Sequence, residues 1–170
     1  LLKWDSATRA ISASYQPSLP LFNFKSLTGR FHSIAPVMED ITSSVQLNFK
    51  HEENPFVEFD REPLIPHMVS REGPALAIAD INGDGLEDVF VGSSKTYNPA
   101  VFIQQPGNKF IKTQQLSLDK DSMFEETSAC WVDVNGDKTL DLVVASGGNE
   151  YYGEDVHLTP RVFLNDGKAN

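Results

Sequence analysis

The chain has 170 residues, with 24 acidic and 14 basic side chains and a net charge of −10. That length is enough for one domain or most of one. The charge excludes a nucleic-acid binder, which rests on Lys and Arg contacts to phosphates, and suits a protein that holds cations; no stretch is apolar enough to span a membrane. A single cysteine, Cys130, excludes an internal disulfide. It lies in an apolar run and reads as a small buried hydrophobe, which leaves the compartment open. The chain opens on Leu1 and closes on "FLNDGKAN", a hairpin cut short. It is therefore expected to be a piece of a longer protein, and its lack of a signal-peptide pattern says nothing about localisation.

In chain order, residues 1–30 are heterogeneous, and their Ser/Pro stretch "SASYQPSLP" reads as a linker or the tail of a preceding domain. Residues 31–74 form a lead-in. Within it, Val45, Leu47 and Phe49 alternate and predict a strand. The proline-rich stretch 54–74 predicts extended loop, with at most an edge strand, because proline lacks the ladder N–H. From residue 75 the pattern sharpens into short runs: "ALAIA", "DVFVG", "AVFIQ" and "KFIKT". A turn with Pro and Gly in type II positions, "QPGN", joins the last two. Four short strands joined by turn chemistry predict an antiparallel sheet.

The pattern then returns as "SACWV", "DLVVA" and "RVFLN", the last followed by the Asp-Gly turn of "NDGK". A four-stranded unit repeated at roughly 40–50 residues points to propeller blades. The expected class is all-β, a fragment of a larger β-propeller with one blade at 75–127 and an incomplete one at 128–170. The second unit carries a longer insert, "SGGNEYYGEDVHLTP".

Between the first two strands of each unit lies an acidic loop, "DINGDGLED" at 80–88 and "DVNGDKTLD" at 133–141. Asp80, Asn82 and Asp84 offer side-chain oxygens at loop positions 1, 3 and 5, as do Asp133, Asn135 and Asp137. Leu86 and Thr139 at position 7 can offer a backbone carbonyl, and Asp88 and Asp141 at position 9 a closing carboxylate. The first half of an EF-hand loop wraps calcium with this spacing. The EF-hand glutamate at position 12 is replaced here by Val91 and Val144, so closure falls to position 9. All donors are hard oxygens, which disfavours zinc and copper, and such loops seldom enforce the tight octahedron of magnesium. The alternative is a solvated turn without metal, since Asn-Gly and Asp-Gly form turns unaided. Position 6 is Gly85 in the first loop and Lys138 in the second, so the second site is expected to be the weaker.

On "ALAIADINGDGLEDVFVG" with "VFIQQPGNKF", and "ACWVDVNGDKTLDLVVASGGNE" with "RVFLNDGKAN", the sequence resembles the FG-GAP/VCBS repeat family, the calcium-loop blades of integrin-α-type propellers. The lead-in "FKHEENPFVEFDREPLIPHMVSREGPALA" is similar to that of bacterial FG-GAP proteins carrying an ASPIC/UnbV domain, and "LLKWDSATRAISASYQPSLPLF" resembles the tail of such a domain. The resemblance implies calcium as cofactor, ion-tied loops between the first two strands of each blade, and an exported, periplasmic or cell-surface bacterial protein. It supplies no activity.

Other candidates are less organised. His32, His51, His67 and His157 show no metal-ligand spacing. Arg61, Glu62 and His67 could form a polar cluster, and Asp60, Glu62 and Glu72 a carboxylate pair of the kind glycoside hydrolysis needs. Tyr151 and Tyr152, among Glu150, Glu154 and Asp155, could contact a glycan or protein, or fold back on their blade. The expectation is a non-enzymatic binding or adhesion scaffold for protein or glycan, with self-association through open sheet edges. The alternative is a non-catalytic part of a propeller hydrolase or lyase acting on polysaccharide.

Overall fold

The computed structural model describes residues 2–5, 10–13, 17–18, 23, 25, 38–71 and 73–168. They fall into two compact units, one within Leu1–Glu39 and one within Asp40–Asn170. In the first, strands β1 (Leu2–Asp5) and β2 (Ala10–Ala13) pair antiparallel, Leu2 opposite Ala13. Ser12 and Ala13, read above as the start of a linker, belong to β2. Most of the remaining Ser/Pro stretch, His32 and Glu72 lie outside the described residues.

The second unit is built on two antiparallel sheets. β3 (Leu76–Ala79), β4 (Asp88–Val91), β5 (Ala100–Gln105) and β6 (Lys109–Thr113) form a four-stranded meander. β7 (Glu126–Val132), β8 (Asp141–Ser146) and β9 (Arg161–Phe163) form a three-stranded one. Each forms where β-branched and aromatic residues run between turn residues. Gly107, at φ 86°, supplies the positive φ needed by the turn between β5 and β6. Among the described residues α-helix is confined to Lys25 and to two single turns, α1 (Thr42–Val45) and α2 (Leu116–Asp119). The all-β expectation holds.

Side chains alternate across each sheet, so each sheet has two faces to cover. One face of the first carries Ala77, Phe90, Val101 and Ile103, buried together with Leu142 and Val144 of the second. Ala129, Trp131 and Phe163 complete this core, with the Trp131 ring edge-on to Phe90 at 6.5 Å. The opposite face, with Val89, Val91, Ala100 and Phe102, is covered by Leu47 and Phe49 of the lead-in. The inner strands are stitched by Ala75 N–H to Glu126 O (3.0 Å), Gly92 N–H to Ala75 O (2.8 Å) and Glu126 N–H to Ser93 O (3.0 Å). Gly92 permits this approach: a Cβ there would sit 2.7 Å from that of Glu126.

Three expectations need correction. The stretch around Val45, Leu47 and Phe49 is not a strand. Thr42–Val45 is a helical turn; Asp40, just before it, accepts the Thr42 N–H at 3.0 Å, and Gln46 ends the turn in the left-handed region. Leu47 and Phe49 still point inward and Phe49 meets Phe102 edge-on, so the alternation reports burial of an extended chain without a ladder. No edge strand forms in the described part of 54–74, which holds the 3₁₀ turns Glu58–Asp60 and Val69–Arg71. Cys130 is exposed, because on β7 it faces away from the side on which Ala129 and Trp131 meet the first sheet.

Candidate metal-binding loops

The two acidic loops are the hairpin connections β3–β4 and β7–β8. The strand residues that close them are paired: Ala79 opposite Asp88, and Val132 opposite Asp141. In the first loop, Asp80 Oδ1 accepts the N–H groups of Gly83 (2.7 Å) and Asp84 (3.1 Å), and Oδ2 accepts that of Gly85 (2.8 Å). Asn82 Oδ1 accepts from Asp84 N–H (3.0 Å) and Asp84 Oδ1 from Leu86 N–H (2.8 Å). Asn82 Nδ2 donates to Asp84 Oδ2 at 3.1 Å.

The second loop repeats this network atom for atom. Asp133 Oδ1 accepts from Gly136 (2.7 Å) and Asp137 (3.2 Å), and Oδ2 from Lys138 (2.9 Å). Asn135 Oδ1 accepts from Asp137 (2.9 Å), Asp137 Oδ1 from Thr139 N–H (2.8 Å), and Asn135 Nδ2 donates to Asp137 Oδ2 (2.8 Å). The Thr139 hydroxyl adds a further bond to Asp137. Lys138 therefore takes the place of Gly85, at φ 76° against 84°.

The ninth position behaves differently. Asp88 and Asp141 are both 0 % exposed. Asp88 accepts the N–H of Ile81 (3.1 Å) and of Gln104 (2.8 Å); Asp141 accepts those of Val134 (3.1 Å) and Asn165 (2.9 Å). Each ties its loop to the third strand of its sheet or the residues that follow it. Asn165 also joins the two loops, since its Nδ2 donates to Ile81 O (2.7 Å) and Leu140 O (3.1 Å).

The charge environment differs between Asp80 and Asp137 on one side and Asp88 on the other. Burial pushes the Asp80 carboxyl up, but the N–H groups of Gly85, Gly83, Asp84 and Asn82 outweigh it and hold the pKa below the ordinary value. Bonds from Thr139, side chain and then backbone, and from Asn135 hold Asp137 low. Asp88 is raised: burial dominates, the Gln104 and Ile81 N–H groups oppose it, and the charges of Asp84 and Asp80 add repulsion. The donor set, carboxylates and amide oxygens only, has the chemistry of a hard-cation site. Among the described residues no three His, Cys, Asp or Glu side chains are gathered into a metal shell. The loop side chains at positions 1, 3 and 5 hold the turn, and the ninth faces the strands.

Residues 80–144 match the FG-GAP-like repeat family, a span running from the first loop aspartate to Val144, where the β8 ladder with β9 ends. The chain carries an FG-GAP-like repeat. It forms a β-propeller-like arrangement of antiparallel sheets, with both acidic loops inside the FG-GAP-like span. No curated protein and no solved structure matches the chain. No helix among its described residues is long and apolar enough to cross a membrane.

The insert after β8 folds back. Glu150 pairs with Lys95 at 2.6 Å and accepts from Asn54. Tyr151 stacks on His157 at 4.4 Å, and Lys95 lies 4.4 Å over the same ring. His157 Nδ1 meets Asp155 at 2.7 Å. Tyr152 remains 75 % exposed. Arg61 and Glu62 are brought together by Asn149: Arg61 donates to its carbonyl, and its Nδ2 donates to Glu62 at 2.5 Å. His51 pairs with Glu53 at 2.6 Å.

Sequence reasoning missed the buried polar residues Glu58, Glu125, Glu126 and Asn165. Only for Asn165 was there a signal. It occupies the place in its strand-turn run that Gln104 occupies in the first.

Proposed function

We propose that the chain is a calcium-stabilised segment of a β-propeller that serves as a binding or adhesion scaffold outside the cell or in the periplasm. The observation that carries this reading is the atom-for-atom repetition of one acidic loop at equivalent hairpins, with oxygen donors at positions 1, 3 and 5 in both. The mutual repulsion of Asp80, Asp84 and Asp88 supports it, because a bound cation would relieve that repulsion. Asp80, Asn82, Asp84 and Asp88, with the carbonyl of Leu86, would hold one ion. Asp133, Asn135, Asp137, Asp141 and the carbonyl of Thr139 would hold the other. The ion's chemistry is charge neutralisation and cross-linking of the hairpin. Loops of extracellular modules need only about 10⁻⁴–10⁻³ M affinity.

The ligand is proposed to be protein or glycan, met through the exposed insert around Tyr152 and Glu154. An aromatic ring 75 % exposed beside acidic groups has the amphipathic character of a contact residue. The bacterial FG-GAP proteins with ASPIC/UnbV domains are the proposed setting. An enzymatic reading would need a carboxylate pair with pKa values pushed apart. Glu58, lowered, and Glu125, raised to about 7, meet that condition. Both are buried, at 0 % and 4 % exposed, which favours a structural role over catalysis.

Calorimetric titration with calcium tests the proposal. Two sites are expected, the tighter lost in Asp84→Ala and the weaker in Asp137→Ala. Absence of binding up to several millimolar calcium would sink it, and equal affinities would remove the predicted penalty at Lys138.

A further inference from the structure

Glu125 immediately precedes β7, where three parts of the unit meet. Its carbonyl accepts the N–H of Gly147 at 3.0 Å, tying it to the insert. Its carboxyl presses on the next residue: a Cβ at Gly148 would sit 2.5 Å from Oε2. The lead-in closes the junction, with Glu52 O accepting from the Ser94 hydroxyl at 2.5 Å and Asn54 donating to Glu150 of the insert.

The charges facing this point do not balance. Glu53 comes from the lead-in, Glu58 from the 3₁₀ turn, Glu126 from β7 and Glu150 from the insert. Against these and Glu125 stand three permanent cations: Lys95, engaged by Glu150; Arg161, engaged by Glu126 at 2.8 Å and Asp121 at 3.1 Å; and Arg61, which donates to the carbonyl of Asn149 in the insert, where Asn149 in turn bonds Glu62. The other four carboxylates have partners. Glu53 has His51, Glu58 has the N–H and hydroxyl of Ser70, Glu126 also has Ser93, and Glu150 has Lys95. Glu53 Oε2 and Glu58 Oε1 are also buried without a partner, but each of those carboxylates is bonded through its other oxygen; Glu125, at 4 % exposure, has a buried Oε1 without a partner and no such bond to offset it. An ionised carboxylate so placed is costly, whereas a protonated one is not.

We propose that Glu125 is a proton-operated latch, holding the lead-in around residues 51–58 and the insert around 147–152 against the sheets while protonated, and loosening them when it ionises. Burial first, then the charges of Glu53, Glu150, Glu58 and Glu126, push its pKa from 4.5 to about 7. Because the folded value lies above the unfolded one, the stabilisation is complete below pH 4.5 and is lost as the pH rises through about 7. The latch thus responds across the range from mildly acidic to mildly alkaline surroundings.

Amide hydrogen exchange of the full chain at pH 6 and pH 8, in EDTA and corrected for intrinsic rates, tests this. Protection of the Gly147 amide and of amides in 147–152 should fall by about tenfold at pH 8, while the amides of β4 and β5 hold theirs. In Glu125→Gln, which keeps the shape and cannot ionise, protection should be the same at both values. Undiminished pH dependence in that variant would overturn the latch. Should it fail to fold, Glu53→Gln decides the matter: removing the largest opposing charge should move the midpoint of loosening to lower pH, and an unmoved midpoint would also overturn it.

Discussion

Lys138 adopts φ 76° because the second loop keeps the hydrogen bonds of the first; its N–H must reach Asp133 Oδ2 as that of Gly85 reaches Asp80 Oδ2. A side chain in that region costs on the order of 1 kcal/mol relative to glycine, partly offset by the greater freedom of glycine in the unfolded chain. Lys138→Gly is therefore expected to raise stability by about 0.5–1 kcal/mol in urea unfolding. The aspartates divide by burial. Asp88→Ala strands the buried N–H of Ile81 and the Gln104 N–H, and should cost about 2–4 kcal/mol at one to two per lost acceptor. Asp84→Ala, at an exposed position, should cost well under half as much when calcium is absent. Equal losses measured in EDTA would contradict that division. The spacing of these residues was legible from the letters alone. The double duty of Asp88 was not, since a metal ligand and a buried strand acceptor are spelled alike.

The lead-in shows where element-level reading succeeds and where it stops. Val45, Leu47 and Phe49 alternate because alternate side chains are buried. The ladder that would make them a strand depends on backbone partners that side chains do not encode. Phe49→Ala removes the edge-on contact with Phe102 and should cost about 2–3 kcal/mol, below the full range for a buried phenylalanine because Phe49 is half-buried. A change under 0.5 kcal/mol in urea unfolding would show that the lead-in does not cover the first sheet in solution. The Cys130 expectation failed for a related reason: "ACWV" is apolar throughout, but only the side carrying Ala129 and Trp131 meets another sheet. The strands from β3 to β9 were legible because turn residues bracket each run. The fold-back of the insert was not, since it rests on single pairings such as Lys95 with Glu150, distant in sequence.

Seen whole, the second unit stacks its two sheets front to back. The face of the first that meets the second carries Ala77, Val101 and Ile103. Their counterparts on the second sheet, Cys130, Val162 and Leu164, are exposed, as are Leu76 and Ile78, the counterparts of Ala129 and Trp131. The exposed face of the second sheet, and the strip of Leu76 and Ile78 that Leu47 and Phe49 leave open on the first, thus each repeat one half of the buried joint, which motivates the proposal that copies of the chain associate through them. Sedimentation should show a mass rising with concentration and reduced by Leu164→Glu; a monomer throughout would count against it. The most direct test of the central claim, that calcium ties the acidic loops, is thermal unfolding in EDTA and in 1 mM calcium. For an affinity near 10⁻⁴ M the midpoint should rise by about 3–6 °C per filled site, with the rise from the first loop lost in Asp84→Ala. A midpoint unchanged by calcium would contradict the account and leave both loops as turns held by their own hydrogen bonds.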